Sequence, residues 1–161
     1  MSIIEDIKTQ YRVGGIANKV IYWNIGLFLL SIVFFYEFKL GVFNFPNWLA
    51  VSSDSSVVIT RPWTLLTYSF FHYGFLHLFF NMIVLNFTSR FFLTYFTQKQ
   101  YLGVYFLSAI FASIIFVLSF FVLGKSSLMV GASASIMALL VATTTYHPLM
   151  EIRLMLIGRV K

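Results

Sequence analysis

The chain has 161 residues, of which 60% are hydrophobic, 20% aromatic and only 10% charged, and its mean hydropathy is +0.88. A soluble domain of this length does not need so much apolar surface, so the composition predicts an all-α protein that crosses a membrane several times. The formal net charge is +6, but the basic residues are scattered and form no stripe, which argues against nucleic acid as a partner. Because there is no cysteine, a disulfide framework, a thiol nucleophile and a cysteine metal site are excluded.

The N-terminal segment, residues 1–19, is too polar for the hydrophobic core of a signal peptide and carries charges of both signs. Ile3, Ile7 and Tyr11 recur within it at helical spacing. We therefore predict a short amphipathic helix that lies on the membrane face, with a frayed tail as the alternative. It precedes a membrane domain predicted for residues 20–161.

Four apolar runs follow that are long enough to be transmembrane helices, because about 20 helical residues cross about 30 Å of hydrocarbon. They are residues 20–38, 75–96, 101–123 and a run from Met129 to just before Pro148. The connection of residues 39–74 carries Trp48 and Trp63, so we predict an interfacial, partly embedded loop. The residues after Pro148 are too few to span the membrane again.

The distribution of basic residues predicts the orientation of the spans. A cytoplasmic N-terminus places eight of them on the cytoplasmic side and three on the other, which is the bias that cytoplasmic loops show. The eight are Lys8, Arg12, Lys19, Arg90, Lys99, Arg153, Arg159 and Lys161, and the three are Lys39, Arg61 and Lys125.

Three polar side chains stand out within the apolar runs. His77 and Asn81 lie one helical turn apart at the start of the second span, and Ser133 lies at the start of the fourth. Both spans start at the outer face, so the three side chains share one depth, where an unsatisfied polar group costs several kcal/mol. We predict that they meet across packed helices. The alternative is structural: a small-residue packing contact at Ser133 and an interhelical hydrogen bond at His77 and Asn81.

A metal site is not expected from these residues. His72 and His77 are five residues apart and would not share one face of a helix. No cofactor is expected either.

The order of these features resembles the rhomboid family of intramembrane serine proteases. The resemblance rests on Gly131-Ala132-Ser133 at the start of an apolar helix, on His77-x-x-x-Asn81 two spans earlier, and on the approach from Trp63 to His72. It covers about residues 20–161, and the motifs are specific only in combination.

The resemblance implies a role for each of these residues. Ser133 would be the nucleophile, and its backbone N–H with the side chains of Asn81 and His77 would form the oxyanion hole. His72 would correspond to a further histidine that members of the family carry near the site. The partners implied are the lipid bilayer and transmembrane protein substrates, and the expected location is a bacterial inner membrane.

The sequence departs from the family pattern at three places. Ala134 stands where the family usually has glycine, and Thr64 stands where it usually has an arginine that anchors the loop. The family's catalytic base is a histidine on a sixth span, whereas these 161 residues end at the threshold of a fifth. His147 cannot replace it, because about 21 Å of helix separates it from Ser133. Residues 1–161 alone are therefore expected to be inactive.

Two function classes remain open on these grounds. The first is a serine endopeptidase that cleaves transmembrane helices near the outer membrane face. The second, suggested by the absent base, is a catalytically inactive rhomboid-like module that binds transmembrane helices. A four-span scaffold or a piece of a transporter has no supporting motif.

Overall fold

The computed structural model describes residues 3–37, 42–43, 45–148, 152–154 and 158–160. The helices in these ranges are α1 (Ile3–Val13), α2 (Gly15–Phe35), α3 (Ser55–Thr60), α4 (Thr64–Thr67), α5 (Phe75–Tyr95), α6 (Gln98–Leu123) and α7 (Ser133–Tyr146). Short strands form three antiparallel pairs: β1 (Tyr36–Glu37) with β2 (Val42–Phe43), β3 (Val51–Ser52) with β4 (Leu128–Met129), and β5 (Ile152–Leu154) with β6 (Gly158–Val160). The helices dominate, so the prediction of a helical membrane bundle is confirmed.

Three of these helices are long and apolar enough to cross a membrane, namely α2, α5 and α6. With 21, 21 and 26 residues they are about 31 to 39 Å long. The fourth predicted span, α7, has only 14 residues, or about 21 Å. The chain is thus a multi-pass membrane protein, and the count of four spans stays a prediction.

The helix boundaries differ from the prediction at two places. α2 begins at Gly15 instead of at residue 20, because Ile16 and Ala17 already pack against the bundle core and the charge of Lys19 does not end a helix. α7 begins at Ser133 instead of near Met129. The preceding residues form β4, and Gly131 has φ +117°, which lies outside the helical region.

Side chains and glycine set the ends of the longest helix, α6. At its start Thr97 and Gln100 form a reciprocal capping box, which satisfies two otherwise free N–H groups. At its end Gly124 takes a left-handed conformation at φ 61°, where a residue without Cβ is favoured. Both ends of α6 are therefore defined by local sequence.

The interior of the bundle is lined by polar and small side chains of α6. Tyr101, Tyr105, Ala109 and Ser113 follow at intervals of four residues and are all fully buried. The hydroxyl groups of Tyr101 and Ser89 hydrogen-bond at 2.8 Å. Large apolar side chains lie on the outer faces of the helices, as lipid requires. α7 packs between α5 and α6, so its first residue is placed by both of them.

The bundle has two distinct ends. At one end the start of α2 lies beside the start of α6, since a Cβ on Gly15 would be 3.6 Å from Nε2 of Gln98. At the same end the ring centroids of Tyr95 and His147 are 5.1 Å apart. At the other end β3 pairs with β4. This matches the predicted grouping of loops. Which end faces the cytoplasm stays a prediction, and Lys39 and Lys161, which contributed to it, lie outside the described residues.

The loop that leads to α5 is anchored by hydrogen bonds within itself. Trp63 Nε1 donates to the backbone oxygen of Trp48 at 2.9 Å, and the Thr67 hydroxyl donates to the oxygen of Leu49 at 3.2 Å. Thr64 is buried, and its hydroxyl donates to the oxygen of Arg61 at 2.7 Å. Thr64 therefore stabilises the local turn, while Trp63 and Thr67 hold the loop together.

Candidate active site

Gly131 sets the path of the backbone that leads into Ser133. Its N–H donates to the backbone oxygen of Tyr68 at 2.9 Å, which ties this segment to the loop before α5. The positive φ of Gly131 is strained for any residue with a Cβ. This turn ends β4 and allows α7 to begin two residues later.

The imidazole ring of His77 lies directly against Gly131. A Cβ built on Gly131 would be 2.8 Å from Nε2 and 2.9 Å from Cε1 of His77, closer than carbon atoms tolerate. Only a glycine lets the ring approach the backbone in this way. The starts of α5 and α7 therefore lie next to each other. The contact is at Gly131, two residues before Ser133.

Asn81 and Ser133 line the same groove between α5 and α7. Its volume is about 200 Å³, and Phe80, Val84, Ile136 and Met137 complete its lining. Asn81 is buried, and its Nδ2 donates to the backbone oxygen of His77 at 2.8 Å. An amide carries two N–H donors, so the second can serve another partner in the groove.

Ser133 is solvent-exposed and is the first residue of α7. Within the described part of the chain, no side chain forms a hydrogen bond with its hydroxyl. The first N–H groups of a helix have no intrahelical acceptor, and the helix dipole favours negative charge there. The hydroxyl thus opens onto the groove at a place suited to an anionic intermediate.

His72 is placed differently from the expectation. It is not on the helix of His77 but in the turn before it, because α5 begins only at Phe75, after Gly74. It is fully buried, and its ring meets that of His77 edge-on at 5.0 Å. Neither of its nitrogens has a hydrogen-bond partner among the described residues. Burial, followed by the nearby charge of His77, lowers the pKa of His72 to about 3.

This depressed pKa predicts a loss of stability in acid. The unfolded chain binds the proton of His72 below its ordinary pKa of 6.5, whereas the folded chain binds it only near about 3. The contribution is therefore complete above the ordinary value and is lost progressively as the pH falls between the two. We expect a loss of about 1.4 kcal/mol of unfolding free energy per pH unit in this window. Unfolding in detergent micelles from pH 7 to pH 4 measures it.

The variant His72→Phe should flatten this pH dependence, because its ring cannot take up a proton. His147→Gln is the matched control, since His147 is exposed and its replacement should leave the slope unchanged. An equal slope in the unaltered chain and in His72→Phe would contradict the assignment.

His147 lies far from the groove. It follows the last residue of α7 and contacts the ring of Tyr95 at the end of α5, whereas Ser133 stands at the opposite end of α7. The helix between them is about 21 Å long, as expected from the sequence. His147 therefore cannot accept a proton from Ser133.

Two tyrosines support the site and were missed in the sequence. The Tyr68 hydroxyl donates to the backbone oxygen of Ala109 at 2.9 Å, which holds in place the carbonyl that binds Gly131. The Ser135 hydroxyl donates to the backbone oxygen of Tyr105 at 2.7 Å and so fixes α7 on α6. The spacing of Tyr101, Tyr105 and Ala109 along one helix face was the available signal.

The family model described as the Rhomboid domain matches residues 60–158, which is more than half of the chain. The matched segment includes His72, His77, Asn81 and Ser133. No curated protein and no solved structure matches the chain significantly.

Proposed function

The chain belongs to the rhomboid family, and on that premise we propose that it is an intramembrane serine endopeptidase that cleaves transmembrane helices near the outer membrane face. The observation that carries the proposal is the contact between the His77 ring and the backbone of Gly131. It brings a side-chain donor to the segment that presents Ser133. Polar groups converging at a helix start within an apolar bundle are suited to stabilising an oxyanion.

The proposed reaction begins with attack of the Ser133 hydroxyl oxygen on the carbonyl carbon of a peptide bond. A base takes the hydroxyl proton, and the carbonyl oxygen becomes an oxyanion. The backbone N–H of Ser133, the second N–H of Asn81 and the His77 side chain are the proposed donors to it. Collapse expels the amine, which takes up the proton, and water then hydrolyses the acyl-enzyme.

The base in this proposal is a histidine outside residues 1–161. His147 is at the wrong end of α7, and His77 is assigned to the oxyanion. His72 has its ring against His77, and its low pKa makes it a weak base. The open side of the groove at Ser133 is where such a histidine would approach.

The lining of the groove also supports a transmembrane helix as the substrate. Apart from Asn81 and Ser133 it is lined by apolar side chains, which suits a transmembrane helix arriving through lipid. We propose a bacterial inner membrane as the setting.

The second candidate is a module that binds transmembrane helices without cutting them. It is favoured by the lack of a hydrogen-bond partner for the Ser133 hydroxyl within the described residues. An unactivated serine is a weak nucleophile, so the same groove would then hold a helix without reacting.

A cleavage assay separates these functions. A transmembrane peptide carrying a donor and a quencher is reconstituted in vesicles with residues 1–161, or with a longer chain that continues past Lys161 if the gene encodes one. We expect background cleavage by the first and clear cleavage by the second, because a positioned base contributes about 100- to 10,000-fold.

Each outcome of the assay is informative. Cleavage by residues 1–161 would show that the base is among His72 and His77, and the histidine variants would identify it. Binding of the peptide without cleavage by the extended chain, tested with several peptides, would replace the protease with the binding module.

A further inference from the structure

A cavity lined by three basic side chains lies between the amphipathic helix α1 and the first half of α2. Lys8 and Arg12 come from α1 and Lys19 from α2, and the volume is about 790 Å³. Tyr11 and Tyr22 line the same cavity, with ring centroids 6.1 Å apart. Here basic and aromatic side chains adjoin the start of a membrane-spanning helix, remote from Ser133.

Lys19 also lines a second cavity of about 500 Å³, which is otherwise apolar. Trp23 and Leu27 of α2 and Leu102 and Phe106 of α6 form its walls. From Lys19 to Leu27 the helix rises about 12 Å, which is part of the length of an acyl chain. A charged cavity and an apolar cavity thus share one lysine.

From this arrangement we propose that the chain binds an anionic phospholipid, with its phosphate among Lys8, Arg12 and Lys19 and an acyl chain in the apolar cavity. Basic residues beside a transmembrane helix attract anionic headgroups, and each contributes about 5-fold in affinity. The ammonium group of Lys19 lies 5.7 Å from the ring centroid of Tyr11, a cation–π contact that holds it at the junction of the cavities.

The apolar cavity decides between a lipid and a free anion. A soluble phosphate would fill only the charged cavity. It would leave the apolar cavity, which Trp23 and Leu27 line, unfilled. A zwitterionic lipid would fill both cavities, but its choline group would meet three like charges. An anionic lipid satisfies both parts of the surface.

Trp23 provides the test, because it lines the apolar cavity and is 57% exposed. Trp48 and Trp63 lie in the loop at the opposite end of the bundle, and Trp48→Phe/Trp63→Phe leaves Trp23 as the reporter. The chain is reconstituted in phosphatidylcholine vesicles that contain a small fraction of brominated phosphatidylglycerol or brominated phosphatidylcholine. Because three basic residues contribute about 5-fold each, we expect phosphatidylglycerol to bind about 100-fold more strongly, measured by fluorescence quenching.

Two test variants and one matched control remove positive charge at the same end of the bundle. Lys19→Gln should reduce the preference for phosphatidylglycerol about 5-fold, and Lys8→Gln/Arg12→Gln should abolish most of it. Lys99→Gln removes one charge at the start of α6, does not line either cavity, and should leave the preference unchanged. Quenching by brominated phosphatidylcholine should persist in every variant, which shows that each is inserted and folded.

Several results would overturn the proposal. These are equal quenching by the two lipids, an unchanged preference in the variants of Lys8, Arg12 and Lys19, or a loss as large in Lys99→Gln as in Lys19→Gln. Release by inorganic phosphate beyond that by chloride at equal ionic strength would assign the site to a free anion instead. The lipid preference is also compared between the unaltered chain and Lys19→Gln, both of which keep Trp48 and Trp63. This comparison does not depend on the tryptophan substitutions.

Discussion

Replacing Ser133 with alanine should reduce cleavage of a transmembrane substrate to the background rate, in the chain extended beyond Lys161. The substitution removes the only atom proposed to form the acyl-enzyme, and loss of a serine nucleophile costs about 10⁴- to 10⁶-fold in related chemistry. The fold should be unaffected, since Ser133 is exposed and alanine is a good helix former. The measurement is the initial rate of fluorescence gain with the quenched peptide.

Ser126→Ala is the control for this substitution, because Ser126 is exposed in the turn before β4 and should keep full activity. Asn81→Ala should fall between the two, with about a 100- to 1,000-fold loss, since one oxyanion donor is removed and the others remain. If Ser133→Ala cleaved at the rate of the unaltered chain, a different nucleophile would be at work and the proposed mechanism would be wrong.

Replacing Gly131 with alanine should abolish most activity and also destabilise the bundle. The new methyl group would lie 2.8 Å from Nε2 of His77 at a φ of +117°, so either the ring or the backbone before Ser133 must move. Strain and overlap together cost about 2–6 kcal/mol. A displacement of about 1 Å in a catalytic group already costs about 100-fold in rate, and here the nucleophile and a donor shift together. Cleavage rate and unfolding in detergent measure the two effects.

Gly124→Ala separates backbone strain from the close contact. Gly124 also has a positive φ, at +61°, but a Cβ there would meet nothing within 4 Å. It should lose about 1–2 kcal/mol of stability and keep its activity. Equal activity in Gly131→Ala and Gly124→Ala would show that the contact with His77 has no part in catalysis.

The apolar runs were enough to predict the membrane bundle, because a helix is the way to satisfy every backbone group of a single segment in lipid. α5 and α6 therefore begin and end within a few residues of the predicted runs. The same logic found His77, Asn81 and Ser133, since a polar side chain is conspicuous in an apolar segment. The structure brings these three side chains to one end of α5 and α7.

The backbone between the runs could not be predicted from hydropathy. The start of α7 depends on the pairing of β3 with β4 and on the hydrogen bond from Gly131 N–H to the backbone oxygen of Tyr68, both of which join residues far apart in the sequence. The burial of His72 depends on a turn that folds back onto α5, and neighbouring residues in the sequence do not reveal it. On α6 the small residues Ala109 and Ser113 mark the buried face, as packing between helices in lipid favours, but Tyr101 and Tyr105, which are also fully buried, were not recognised in the sequence.

The pairing of β3 with β4 also bears on the order in which the protein folds. Ser127 N–H donates to the Ser53 hydroxyl across 74 residues of sequence, and such distant contacts form late because a long loop must close first. α2, α5 and α6 can each become helical in lipid before this closure. The segment from β4 through Gly131 to Ser133 is then the last part to take its final shape, so the hydroxyl proposed as the nucleophile is presented only after the rest of the bundle has been inserted and assembled.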